Sequence, residues 1–170
     1  MPLPVVLREM LALPTAPFVE SAVLTYVRER CASFAHVRLR ADRCGNLMAH
    51  YRNKPRDVPG LVFTAHTDHP GFVARRMLDD TTLLADFRGW VEPQYFVGTG
   101  VRFFSHGRWV RGIVTKISKP GALHSLTGRT APPKQLAISI RSPIEPNAAG
   151  MWDLPNPTLR GERVYARACD

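Results

Sequence analysis

The spacing of apolar and polar positions changes twice along this chain. Val5, Val6, Met10 and Leu13 recur at helical spacing, and Pro14 ends the pattern. Thr15 is placed to cap a second helix, with Pro17 near its first turn, where a missing N–H costs little. Phe18, Ala22, Val23, Tyr26 and Val27 would line one face of that helix. From His36 the period falls to two. Val37, Leu39 and Ala41 alternate with His36, Arg38 and Arg40, which predicts a half-buried strand. DRCGN at 42–46 predicts a turn, and 47–51 a second strand that completes a hairpin. After a polar loop, LVFTA at 61–65 is too apolar to alternate. It predicts a central strand covered on both faces.

Beyond Gly71 the pattern breaks into short β-like pieces at 72–76, 82–87, 100–104, 109–117 and 135–140. Glycines 89, 98, 100, 107, 112, 121 and 128 punctuate them, as in a small β-barrel or sandwich. Residues 118–134 predict a loop, 145–157 an irregular connection, and 163–168 one more short strand. The expected fold class is therefore α/β, an α/β domain interrupted by an inserted small β-barrel domain. The expected divisions are 1–70 for the first part of the α/β domain, 71–160 for the insert and 161–170 for the return.

Composition adds constraints. Net charge is +9, and nineteen of the 23 basic residues are arginines, a balance compatible with a nucleic-acid partner. Arginines such as Arg8, Arg28, Arg88 and Arg163 are nevertheless scattered, and no RNA- or DNA-binding signature is present. Cys31, Cys44 and Cys169 form no CxxC pair, which argues against a disulfide framework or zinc ribbon. The first residues lack the features of a secretory signal. No apolar run approaches the roughly 18 residues of a membrane span. The expectation is a cytoplasmic protein with no membrane partner.

The chemistry concentrates in AHTDHPGF at 65–72. Ligand sites in open α/β sheets lie beyond the carboxyl ends of strands, where His66 is expected. A neutral imidazole there can coordinate a transition metal. Asp68, two positions on, shares its face of a strand and can fix the ring's tautomer. A lone His-x-Asp is a weak signal, equally suited to a surface pair at a strand end. Other motifs carry less: GTG at 98–100 lacks the third glycine of a dinucleotide fingerprint, and neither Ser105 nor Ser125 sits in a nucleophile elbow.

These residues resemble a known family. AHTDHPGF is similar to the His-x-Asp-x-x-Gly-Phe segment of the glutamyl aminopeptidase family of dinuclear metallopeptidases, which includes the tetrahedral aminopeptidases. DRCGNLMAH resembles that family's Asp-x-x-Gly-Asn hairpin, and residues 89–114 resemble its inserted β domain. VYARACD, ending at Asp170, resembles the segment that delivers a metal-bridging aspartate. The resemblance implies that His66 ligates one metal ion, that Asp68 acts in catalysis by orienting His66, and that Asp170 bridges two ions. It implies zinc or cobalt as the pair of divalent metals, a peptide substrate, and homo-oligomers assembled through the β insert. His69 and Pro70 depart from the family, which usually has an acidic residue and a valine there. The family's general base and remaining ligands follow the bridging aspartate, beyond position 170. The expected function is thus the N-terminal portion of a metal-dependent aminopeptidase, inactive alone. The alternatives are a basic β-rich nucleic-acid-binding module and a non-enzymatic oligomerisation domain.

Overall fold

A computed structural model describes residues 4–52, 60–119 and 131–153. Two helices come first, α1 (Val5–Leu11) and α2 (Ser21–Ala32), then a hairpin of β1 (Val37–Ala41) and β2 (Leu47–Tyr51). Six further strands follow: β3 (Gly71–Asp79), β4 (Thr82–Arg88), β5 (Gly100–Ser105), β6 (Arg108–Ile117), β7 (Gln135–Ile140) and β8 (Ala149–Trp152). A single 3-10 turn, Pro93–Tyr95, separates β4 from β5. The architecture is mostly β, a closed six-stranded antiparallel barrel in the order β3-β4-β7-β6-β5-β8, with two helices and a separate hairpin.

The barrel follows from strict alternation. Leu83, Ala85 and Phe87 on β4 point inward, as do Val101 and Phe103 on β5 and Leu136, Ile138 and Ile140 on β7. Their partners on the same strands face out, as the period of two demands. Register shifts on β3 and β6 mark bulges, which bend the sheet enough to close it. Closure depends on β8. Phe72 of β3 pairs with Gly150, and Phe103 of β5 pairs with the same glycine from the other side. A Cβ on Gly150 would collide with the Phe103 ring, so only glycine lets β8 fit between its neighbours. One mouth of the barrel is filled by aromatic rings. Phe96 lies edge-on to Phe87 at 4.8 Å and 5.3 Å from Trp152, and Trp152 stands edge-on to Phe72 at 4.8 Å. Such tilted and T-shaped contacts add stabilisation beyond area burial.

Several expectations need correction. The second helix starts at Ser21, and Thr15 does not cap it. Residues Ala16 and Val19 instead bridge across a tight turn with Phe18 at φ 67°, so Phe18 leaves the helical face and is 88% exposed. A left-handed residue cannot continue a helix, which accounts for the later start. The connection foreseen at 145–157 contains β8, whose Ala-Gly-Met-Trp run gave no alternation to detect. Most consequential is 61–65, which forms no strand. Leu61, Val62 and Phe63 are 78%, 80% and 87% exposed. A central strand requires a ladder on each edge, and no described segment supplies one. The α/β sheet foreseen for the first part of the chain is therefore absent among the described residues. The expected strand at 163–168 lies outside them.

The hairpin turn is held by one carboxylate. Asp42 Oδ1 accepts hydrogen bonds from the backbone N–H groups of Cys44 at 2.8 Å and Asn46 at 2.9 Å, and Oδ2 accepts from the Asn46 amide at 2.8 Å. The Asn46 side-chain bond, followed by the backbone donors, holds the Asp42 carboxyl below its ordinary value of 3.8. A depressed folded-state value means the stabilisation is fully present above 3.8 and is lost as pH falls through the lower folded value. Asp42→Ala should lower the amide protection factors of β1 and β2 at neutral pH, and acidification below the carboxyl range should lower them in the parent, after correction for the intrinsic exchange rate at each pH. Barrel amides should be unaffected by the substitution, as measured by hydrogen-exchange mass spectrometry. Overpacking gives a second expectation. Gly150→Ala should destabilise the barrel by about 1–3 kcal/mol, read as a lowered midpoint of thermal unfolding.

Candidate metal site

The segment carrying His66 runs directly into β3 at the aromatic-filled mouth. Three contacts hold it there. The Thr15 hydroxyl donates to the Thr67 carbonyl at 3.3 Å. Gly71 lies so close to the 15–16 backbone that a Cβ there would stand 3.1 Å from both the Thr15 oxygen and the Ala16 Cβ. Gly89, at φ +144°, packs where an added Cβ would be 2.6 Å from the Pro70 Cβ. The 15–19 turn is tied to the barrel in turn by Arg88, whose guanidinium donates to the Pro17 carbonyl at 2.6 Å and lies 5.7 Å from the Phe18 ring centroid.

His66 and Asp68 meet. Nδ1 of His66 lies 3.2 Å from Oδ1 of Asp68. A neutral ring donating from Nδ1 to the carboxylate keeps the Nε2 lone pair free, which is the tautomer a metal would require. The His66 side chain is 81% exposed and that of Asp68 32%. His69 turns elsewhere, with Nδ1 3.1 Å from the Pro70 carbonyl. Asp170, expected to bridge two ions, lies outside the described residues. Among the described residues no group of three or more His, Cys, Asp and Glu side chains is gathered for a metal ion. A zinc site needs roughly three protein ligands. The described residues thus fit one ligand with its orienting carboxylate and do not fit a complete zinc or cobalt site.

Thr15, Arg88 and Gly89 carry no recognisable sequence signal for their roles. Thr15 reads as a helix cap, and its actual partner is 52 positions away. Gly89 reads only as a turn. Thr15→Val should remove one anchor of the His66 segment at a cost of about 0.5–1.5 kcal/mol. Limited proteolysis should then cut sooner between 60 and 70, with the barrel intact.

No described helix is long and apolar enough to cross a membrane. No family model and no curated protein sequence matches the chain. Solved structures do. The TET aminopeptidase from the marine sediment archaeon Thaumarchaeota archaeon SCGC AB-539-E09 superposes with a TM-score of 0.56 over 84% of this chain, at 18% identity. The match takes in 41% of that enzyme's chain, so this protein spans well under half its length. At that identity the likeness establishes the fold: this chain has the architecture of one part of a TET aminopeptidase.

Proposed function

We propose that the chain is the N-terminal part of a metal-dependent aminopeptidase of the tetrahedral type, contributing part of its metal site and its inserted barrel. One observation carries the reading. The His66–Asp68 pair stands immediately before the first strand of a closed barrel, within a fold shared with a TET aminopeptidase. In this reading the divisions are 1–70 for the catalytic part, 71–160 for the insert and 161–170 for the return. Asp68 orients His66, His66 presents Nε2 to a divalent ion, and Asp170 is the second ligand. The bound metal would polarise the scissile carbonyl and activate water. The substrate is a peptide with a free N-terminus.

The exposed apolar run at 61–63 supports the same reading. It is of the kind that forms an internal strand when flanked by neighbours. The relative continues through a larger share of chain than the part matched here. Homo-oligomers built through the barrel belong to this proposal, as does a cytoplasmic location.

The test is hydrolysis of aminoacyl and peptide substrates by the 170-residue chain with zinc or cobalt supplied. The rate should equal that of a His66→Ala control, because the described residues provide one ligand where catalysis needs a completed shell. Metal-dependent turnover that disappears in His66→Ala would show a complete site within these residues and refute the incomplete-site reading.

A further inference from the structure

A second place at the same barrel mouth concentrates positive charge. The ends of β4 and β6 and the start of β7 surround a cleft of about 650 Å³. Among the described residues Arg75, Arg88, Lys119 and Lys134 line it, with Asp86 as the one carboxylate and Ser118 and Gln135 as neutral polar groups. The peptidase reading assigns the cleft no role.

The carboxylate is already committed. Arg75 sits at the register shift of β3, and its Nε reaches Asp86 Oδ2 at 2.9 Å. Asp86 pairs across the ladder with Val73, and Arg75, two positions on, shares the face of Val73 and so reaches the carboxylate diagonally. The Gln135 amide takes the other oxygen, at 3.3 Å. Arg88 is steadied by the neutral Pro17 carbonyl and forms no ion pair with a described carboxylate. Lys119 and Lys134 are exposed and form no ion pair with any described carboxylate. The two lysines stand next to a hydrogen-bonded pair, Ser118 and Gln135. Ser118 donates from its backbone N–H to the Gln135 carbonyl at 2.8 Å, and Gln135 donates back to the Ser118 hydroxyl at 3.2 Å. The Lys134 carbonyl also accepts the Phe87 N–H at 2.9 Å, and Lys119 follows Ser118 directly, so both lysines stand beside hydrogen-bonded backbone.

We propose that this cleft binds a compact phosphate-type polyanion. Four cations against one neutralised carboxylate leave a surplus that a single carboxylate would not satisfy. Lysines supply point charges and Arg88 a planar fork, a combination suited to several phosphate oxygens. Phe87, the aromatic residue of the lining, is only 8% exposed and offers no face for stacking a base. Recognition therefore rests on the phosphates, whether they come from inorganic tripolyphosphate or from the tail of a nucleotide.

Titration calorimetry of the full chain at low ionic strength tests this, with tripolyphosphate and a nucleoside triphosphate as probes. Both should bind at one site with affinities within about threefold of each other, weakening as salt is raised. A Lys119→Ala/Lys134→Ala variant should lose at least about tenfold in affinity for both. An Arg38→Ala/Arg40→Ala variant removes the same charge from exposed β1 positions and should bind as the parent does. Thermal unfolding would verify that both variants keep the barrel. Failure of either probe to bind the parent would overturn the proposal. So would equal weakening in the two variants, which would mean general attraction to a basic protein.

Discussion

The short strand β8 is the constraint on which the rest depends. Without it β3 and β5 would each present an open edge, and the sheet could not close. Gly150 makes the closure possible by yielding its side-chain volume to the Phe103 ring. Closure brings Trp152 against Phe72 and Phe96, and so seals the mouth at which the His66 segment arrives. A four-residue strand with a weak pattern thus fixes both the core and the position of the candidate site.

The barrel is self-sufficient in a way that the preceding residues are not. Its inward faces form one continuous cluster that includes Phe72, Leu83, Phe96, Phe103, Val114 and Ile138, all fully buried. By contrast α1 buries no residue, and α2 buries only Val23. Met48 and Tyr51 on the hairpin are more than half exposed, as are Leu61, Val62 and Phe63. Those segments leave large apolar side chains open to solvent. The helices are joined to each other by the Tyr26 hydroxyl donating to Glu9 at 2.5 Å, a contact that also pushes the Tyr26 phenol above its ordinary range. Such an exposed tie adds little to a core.

What was legible in the sequence was local. Alternation at 82–87, 100–104 and 135–140 marked three barrel strands to within a residue, and DRCGN marked the hairpin turn. The spacing of His66 and Asp68 foretold their contact, although the strand geometry invoked for it is not present. What escaped was non-local. The register that closes the barrel through β8, the Thr15–Thr67 contact and the packing of Gly89 on Pro70 join positions far apart in the chain. The strand expected at 61–65 failed for the same reason: an apolar run states that burial is favourable, whereas pairing depends on a neighbour elsewhere. Asp170, the remaining candidate ligand, lies outside the described residues.

A closed barrel joined to a segment without ladder partners has a direct signature in amide exchange. Hydrogen-exchange mass spectrometry of the dilute chain at neutral pH resolves the two. Amides of β3 to β8 should exchange slowly and together, because their hydrogen bonds break only when the barrel opens. Amides of residues 61–65 should exchange at rates near those of an unstructured peptide. Protection at 61–65 equal to that of the barrel would contradict the account, since it would show that this run already has strand neighbours within the chain.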